Sequence, residues 1–331
     1  MIELGSIRDL LREHGLDKVD EEPFPNDGWS GASMTSLRRG GGDRFVLKRD
    51  SLARDWIARA TSDGPLLREA WFAAAGPALP MPIRNPALGG AFDPDSGESA
   101  ILMPDLTGVL FDWDAVLPIE HLDRVLAALV ALHEAPAPSP GPWCPVRERV
   151  ALICRSSLER PGPARDAVAE RLMPGWDRFD QRASPAARDV VAALSDDPSP
   201  LVRALEAEPA SLIHGDLKLA NVGIAVDGAV EVVDWQMVMV ASVAIELGWF
   251  LVSNVNALPL TPNAVLERYW RARGRDPGPE NDLAILVGLL LRGWRKGYDA
   301  EAGGTLGSGV SARDDLAWWC ERAVEAAGRV L

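Results

Sequence analysis

Residues 213–235, IHGDLKLANVGIAVDGAVEVVDW, constrain this chain more than any other stretch. Asp227-Gly228 is a strong hairpin signal, because a two-residue type I′ turn needs positive φ at both central positions. Apolar-rich runs flank it on both sides, NVGIAV and AVEVVD. With that turn, Val226 pairs with Ala229, Ala225 with Val230, and so outward to Val222 with Val233. The next pair is Asn221 opposite Asp234. Directly opposed side chains in an antiparallel pair have Cβ atoms about 4.5–5.5 Å apart. An amide oxygen and a carboxylate that close would offer a hard divalent cation two oxygen ligands. Asp216 stands just upstream, where the short apolar run Ser211-Leu212-Ile213 ends.

Three oxygen side chains are thus expected to converge, and phosphoryl transfer asks for that layout. The Asp216 carboxylate would accept the proton of an attacking hydroxyl, while Asn221 and Asp234 hold Mg²⁺ against nucleotide phosphates. The stretch His214-Gly215-Asp216, followed by Asn221 and by Asp234-Trp235, resembles the catalytic and metal-binding segments of the aminoglycoside phosphotransferase family. That family is the small-molecule branch of the protein-kinase-like fold. The resemblance runs in order from about Gly28 to Val252. It implies an α+β, two-lobe fold, with a small antiparallel-sheet N-lobe (1–105) and a mostly helical C-lobe (106–331). It also implies ATP or GTP as phosphoryl donor and Mg²⁺ as cofactor.

Bulk properties exclude other classes. The formal net charge is −14, whereas a nucleic-acid binder needs Lys and Arg against phosphate. Cys144, Cys154 and Cys320 lie far apart, in odd number and without metal spacing, so neither a disulfide framework nor a zinc site is expected. The four histidines form no ligand pattern. The amphipathic start, MIELGSIRDLLREHG, lacks a signal-peptide core. The longest apolar run, Met237 to Ile245, is too short to span a bilayer. A cytoplasmic protein with no membrane or nucleic-acid partner is the expectation.

Along the chain, residues 2–14 read as a short helix and Asp17 to Asp27 as a polar link with two prolines. Gly28-Trp29-Ser30-Gly31-Ala32-Ser33 precedes a strand from Met34 to Arg39. A glycine turn and a second strand, Arg44 to Arg49, follow. Such a loop can drape backbone N–H groups over phosphates, with Ser30, Gly31 and Ser33 as its contact residues. Residues 64–75 read as a helix carrying Glu69, and strands are expected near 86–92 and 100–103. From Pro118 the pattern is helical, with an apolar stripe Ile119, Leu122, Val125, Leu126, Leu129 and Leu132. Helices are expected at about 146–159, 165–172, 185–194, 199–206, 242–253, 262–273, 280–298 and 312–329.

The resemblance assigns further roles. Lysine is scarce (Lys18, Lys48, Lys218, Lys296), and Lys48 matches the strand lysine that grips the α- and β-phosphates, with Glu69 as its partner. Lys218 looks like the loop lysine that contacts the transferred phosphoryl group. Met103-Pro104-Asp105-Leu106 corresponds to the hinge that reads the adenine edge. Pro104 has no N–H, so a donated bond must come from Asp105 or Leu106. Glu246 stands where the family has an aspartate supporting the catalytic loop, and His214 is expected to brace that loop. The acceptor would lie against Asp112, Trp113 and Asp114 and against Trp294, Tyr298 and Asp299. Carboxylates and ring faces there would suit an ammonium-bearing molecule such as an amino-sugar or amino-alcohol.

Three readings compete: a kinase of a small-molecule hydroxyl, a protein kinase, and a nucleotide-binding regulatory pseudokinase. Asp234-Trp235 in place of D-F-G, and the absence of an A-P-E element, weigh against the second. Lys48, Glu69, Asp216, Asn221 and Asp234 together weigh against the third.

Overall fold

A computed structural model describes residues 4–26, 28–112, 114–160 and 163–331, without the side chains of residues 163–166. Ten strands are described: β1 (Glu21–Pro23), β2 (Ser33–Arg38), β3 (Arg44–Ser51), β4 (Ile83–Arg84), β5 (Gly89–Asp93), β6 (Glu98–Pro104), β7 (Ala210–Ile213), β8 (Val222–Ile224), β9 (Val230–Val232) and β10 (Met239–Ser242). Five of them make one antiparallel sheet in the order β1-β2-β3-β6-β5. β1 lies inside the stretch read as a link. Pro23 is tolerated there because β1 is an edge strand, where a missing N–H breaks no inner ladder.

Strand periodicity explains how this sheet aims its one lysine. Phe45 and Leu47 of β3 pack with Leu37 and Leu102 under Leu10 and Leu11 of the N-terminal helix Ile7–Glu13. Val46, between them, faces the other way and joins Ile101, Met103 and Ala70. Lys48 shares the parity of Val46, since successive strand residues point to opposite faces. It therefore points toward the helix Arg68–Ala75, which carries Ala70 and Glu69. The N-terminal helix begins at Ile7 with Ser6 as cap. Residues 2 and 3 of the expected helix lie outside the described residues.

The helix Arg68–Ala75 can sit this close because β5 has a glycine beneath it. A Cβ built on Gly90 would lie 2.0 Å from the Ala70 carbonyl oxygen, a backbone atom that cannot move without the helix. Gly90→Val is therefore expected to cost about 3 kcal/mol, the upper end for overpacking, and to part Lys48 from Glu69. Thermal unfolding checks this, and a Tm unchanged within experimental scatter would show that the helix is not seated on Gly90.

The remainder is helical, with helices at Ile119–Glu134, Pro163–Arg182, Pro185–Asp196, Ser199–Ala207, Val243–Ser253, Pro262–Arg273, Glu280–Ala302 and Ala312–Val330. The expected helix at 146–159 is instead two short ones, Val146–Ala151 and Arg155–Leu158, and that at 165–172 is part of a longer one. In the Ile119–Glu134 stripe every expected position is buried except Ile119, exposed in the first turn. Among the described residues no helix is long and apolar enough to cross a membrane. The whole is an α+β protein of the kinase-like kind.

The central hairpin corrects the expected register. β8 and β9 pair Val222 with Val232, Gly223 with Glu231 and Ile224 with Val230. The loop holds three residues, Val226-Asp227-Gly228, closed by the Ala225 N–H donating to the Ala229 carbonyl at 2.9 Å. Gly228 has φ +87° but Asp227 is not in the left-handed region, so a type I′ turn is not formed. The cause is local: the Asp227 carboxylate accepts the Ala229 N–H at 3.1 Å and pairs with Arg84 at 3.0 Å. That Asx-type bond holds Asp227 in an ordinary turn conformation and leaves only Gly228 to turn left-handed. The ladder slips by one. Asn221 now faces Val233, whose N–H donates to the Asn221 carbonyl at 3.0 Å. Asn221 and Asp234 are not cross-strand partners.

Candidate active site

What the ladder no longer does for Asp234, its own backbone does. Asp234 has φ 67° and ψ 53°, a left-handed conformation just past β9. Aspartate is among the few side chains that enter this region at modest cost. The turn breaks the strand alternation and re-aims the carboxylate, whose Oδ1 accepts from Lys48 Nζ at 2.8 Å. The same ammonium donates to Glu69 Oε2 at 2.6 Å. Lys48 thus bridges the sheet, the Glu69 helix and the segment after β9, residues far apart in sequence.

The two carboxylates around Lys48 are not equivalent. Burial pushes Glu69 up to about 7, and the repulsion of Asp234 outlasts part of the pull of Lys48. Burial acts on Asp234 too, but Lys48 and Lys218 together hold it well below the usual carboxylate range. Lys48 is buried against its charge, yet Asp234 and Glu69 keep it firmly protonated. Of the two carboxylates, Asp234 is the one held more firmly in its charged form. A small cleft beside the pair is lined by Glu69, Ile101, Met103, Asp234 and Trp235, which brings the expected hinge residue Met103 next to the ion pair.

Asp216 lies in the loop after β7, and backbone bonds hold that loop. Its N–H donates to His214 Nδ1 at 3.2 Å, and His214 Nε2 lies 2.9 Å from the Val233 carbonyl. His214 is fully buried, and burial lowers its pKa despite the nearby carboxylates. A neutral ring with its proton on Nε2 satisfies both bonds, so His214 is a brace. The Asp216 carbonyl accepts from Asn221 Nδ2 at 3.2 Å and from the Lys218 N–H at 2.9 Å. The Asp216 Oδ2 meets Lys218 Nζ at 3.1 Å, and that carboxylate, opposed by burial, raises the Lys218 pKa. Asn221 keeps its side-chain oxygen for another partner.

Behind the loop, Glu246 Oε2 accepts from the His214 N–H at 2.6 Å and the Gly215 N–H at 3.4 Å. The longer glutamate reaches the loop and braces it. Its Oε1 is buried without a partner, and burial pushes the group up to about 7 although those two amides and Arg149 pull it down. A carboxyl held above its unfolded value keeps a proton in the fold that the unfolded chain releases. Its contribution to stability therefore falls as pH rises from about 4.5 to about 7. Glu246→Gln cannot ionise and is expected to flatten that part of the stability–pH curve. Urea melts at pH 5 and pH 7 showing the wild-type slope in the variant would rule Glu246 out as its source.

Several supporting residues escape a reading of motifs. Arg149, 1% exposed, donates from Nε to the Gly215 carbonyl at 2.6 Å. Asn254 Oδ1 accepts the Leu219 N–H at 2.7 Å, and its Nδ2 donates to the Leu217 carbonyl at 3.3 Å. Gln236 ties the Asp234 segment to Asp55, and Arg68 ties it to the Glu69 helix by donating to the Gln236 carbonyl at 2.8 Å. No motif spacing marks them, because each acts across tertiary distance. His133 is a core residue, its Nδ1 2.8 Å from the Tyr269 hydroxyl.

Other expected contacts are redistributed. The Asp105 N–H donates to the Arg44 carbonyl at 3.0 Å and its carboxylate caps Thr107, so Asp105 has no amide left for an adenine edge and only Leu106 can donate. Ser30 is buried, its Oγ accepting the Ala32 N–H at 3.3 Å, while Gly31 and Ser33 are exposed. Asp112 and Asp114 are exposed in a turn closed by the Asp114 N–H donating to Asp112 Oδ1 at 3.0 Å. Trp113 lies outside the described residues. Trp294 and Tyr298 already carry arginines over their rings, Arg292 at 5.1 Å and Arg178 at 4.7 Å. Asp299 pairs with Arg295 at 2.8 Å. Of the rings and carboxylates expected to receive an ammonium, Trp294, Tyr298 and Asp299 are thus engaged by arginines of the chain.

Among the described residues no cluster of three or more His, Cys, Asp or Glu side chains could hold a metal. A cation here would instead be held by the charged Asp234 and the Asn221 side-chain oxygen, left open because Asn221 bonds the Asp216 carbonyl through Nδ2, with phosphates completing the shell. Such sparse protein ligation, with substrate phosphates finishing the shell, is the usual Mg²⁺ arrangement.

Solved structures resemble this one in fold. A spectinomycin phosphotransferase, solved with ADP and spectinomycin, is 13% identical over 98% of this chain and 97% of that one, with a TM-score of 0.50. A choline kinase from Streptococcus pneumoniae is 13% identical over 97% of this chain and 99% of that one, at 0.49. A macrolide 2′-phosphotransferase from Brachybacterium faecium is 22% identical over 98% of both chains, at 0.41. At these identities the likeness concerns fold alone. No curated protein matches the sequence. The family model described as the phosphotransferase enzyme family matches residues 25–284, most of the chain and every residue of the Lys48–Glu69–Asp216–Asn221–Asp234 set. The chain belongs to the phosphotransferase enzyme family.

Proposed function

We propose that this protein transfers the γ-phosphoryl group of ATP or GTP to a hydroxyl of a small molecule. The observation that carries the reading is the convergence of two units: the Asp216 carboxylate held beside Lys218, and Lys48 held between Glu69 and Asp234. Asp216 accepts the proton as the acceptor oxygen forms its bond to the γ-phosphorus and the bond to the β-phosphate oxygen breaks. Lys218 sits where negative charge grows on the transferred group, and Lys48 binds the remaining phosphates. Mg²⁺, held by Asp234 and Asn221, would neutralise charge on the phosphate oxygens. In this reading the chain divides near Asp105. Residues 1–105 hold the nucleotide through Lys48, Gly31, Ser33 and, with Leu106, the hinge, and residues 106–331 carry the catalytic loop, the metal-binding hairpin and the acceptor.

A nucleotide-consumption assay, run with and without hydroxyl compounds and a protein substrate, tests this. Consumption that rises with a small hydroxyl compound and yields its phosphate ester is the expected result. Consumption that responds only to the protein substrate, or nucleotide binding with no turnover under any addition, would sink it. The amino-bearing acceptor is the part of the sequence reading that the site favours least, since Trp294, Tyr298 and Asp299 already engage arginines.

A further inference from the structure

Trp29, in the small-residue loop ahead of β2, and Trp294, on the helix Glu280–Ala302, bring their ring centroids within 6.4 Å. The loop is anchored at that point, for Trp56 Nε1 donates to the Trp29 carbonyl at 2.7 Å. Each ring carries a guanidinium: Arg171 lies 5.1 Å from the Trp29 centroid and Arg292 5.1 Å from that of Trp294. Arg292 also lies 5.4 Å from the Trp249 ring, which Arg149 approaches to 4.5 Å while bonding the Gly215 carbonyl. The chain of contacts therefore runs from the phosphate loop to the residue beside Asp216. Both Asp216 and Lys218 lie within electrostatic reach of Arg292.

The charges of this region do not all cancel. Arg178 pairs with Glu301, Arg295 with Asp299 at 2.8 Å, and Lys296 with Asp315 at 2.5 Å. Among the described residues Arg171 and Arg292 have no carboxylate within ion-pair distance, and Arg292 Nε is buried without any hydrogen-bond partner. The helix breaks where Arg292 sits (φ −134°, ψ 21°), so the side chain leaves the regular helical row. Arg292 is half-buried, with only its Nε shielded from water; a buried donor left unpaired is costly, and the planar fork of the group matches a carboxylate or phosphate.

We propose that the acceptor carries an oxyanion, a carboxylate or a phosphate monoester, near the hydroxyl that is phosphorylated, and that Arg292, with the exposed Arg171 over the neighbouring Trp29 ring, binds it. The inference rests on the phosphotransferase reading above and names its substrate class. An ammonium-bearing acceptor would instead meet Arg171, Arg292 and Lys218.

The test is acceptor-dependent nucleotide consumption with four sets of hydroxyl compounds. Hydroxy acids such as glycerate and gluconate are one set, and sugar and glycerol phosphates another. Neutral sugars and polyols are the third, amino-alcohols and aminoglycosides the fourth. Turnover with the first or second set is expected, and which of the two responds tells carboxylate from phosphate. Arg292→Met should then raise the acceptor KM about 10- to 100-fold, the loss of a charge-assisted bond. It should raise KM far less for the acceptor's uncharged counterpart, the methyl ester of a carboxylate or the parent alcohol of a phosphate, and Arg292→Lys should recover part of the loss. Arg171 is exposed, so Arg171→Met tests the same point without burdening the fold. Turnover confined to neutral or ammonium compounds overturns the inference and leaves the phosphotransferase reading standing, as does an Arg292→Met effect equal for acid and ester. Turnover with no set at all, in a protein that binds nucleotide, overturns both.

Discussion

Asp216→Asn is expected to lower turnover by about 10²–10⁴-fold, the range of a general base, with the loop and nucleotide affinity kept. The loop does not depend on the Asp216 side chain. Its N–H is held by His214 Nδ1, and its carbonyl by Asn221 Nδ2 and the Lys218 N–H. Glu246 and Arg149 fix His214 and Gly215 from behind. Among the described residues the carboxylate meets only Lys218, at 3.1 Å, and asparagine still offers that lysine an oxygen. The substitution therefore removes basicity and little else. Single-turnover kinetics and calorimetric nucleotide binding separate the two effects. A variant within a few-fold of wild type would remove Asp216 from the base role, and lost nucleotide affinity would mean that the side chain holds the site together.

The sequence made some of this legible and hid the rest for definable reasons. The resemblance points to Lys48 and Glu69, and the central motif to Asp216 and Asp234; the fold gathers these four side chains, Asp234 only through its left-handed backbone. Lys48 follows from the alternation of β3, and Glu69 from a helix that Gly90 lets down onto the sheet. The hairpin was misread by one residue. Asp-Gly suits a two-residue turn, but the Asp227 carboxylate prefers the Ala229 N–H and Arg84, and Arg84 comes from β4, far upstream. A turn dipeptide cannot report a partner that distant. Arg149, Asn254 and Arg292 escaped for the same reason: their roles depend on which loop lies across from them. Trp294, Tyr298 and Asp299 lie on a late helix as expected, yet their arginine neighbours come from other turns and another helix.

Asp234→Asn is expected to raise the Mg²⁺ requirement sharply and to lower turnover by on the order of 10³-fold. A bound metal contributes several kcal/mol of charge stabilisation, and each ~1.4 kcal/mol is a decade in rate. Asparagine tolerates the left-handed conformation as aspartate does, so the backbone turn at φ 67° should survive and the charge alone is tested. Lys48 keeps Glu69 at 2.6 Å, and Glu69 loses a repelling neighbour, so it pairs with Lys48 over a wider pH range. The lysine stays placed for phosphate while the cation loses its charged ligand. Asn221→Ala should act in the same direction but less, since it removes a neutral oxygen along with the bond that Asn221 Nδ2 makes to the Asp216 carbonyl. Titrating nucleotide binding against Mg²⁺ reads the effect without relying on turnover. The left-handed turn makes this outcome possible despite the slipped ladder: with Asn221 facing Val233, only a break in strand alternation at Asp234 can bring its carboxylate round to Lys48. If Asp234→Asn binds Mg²⁺-nucleotide with the wild-type metal dependence, Asp234 serves only to position Lys48, and the cation is held elsewhere.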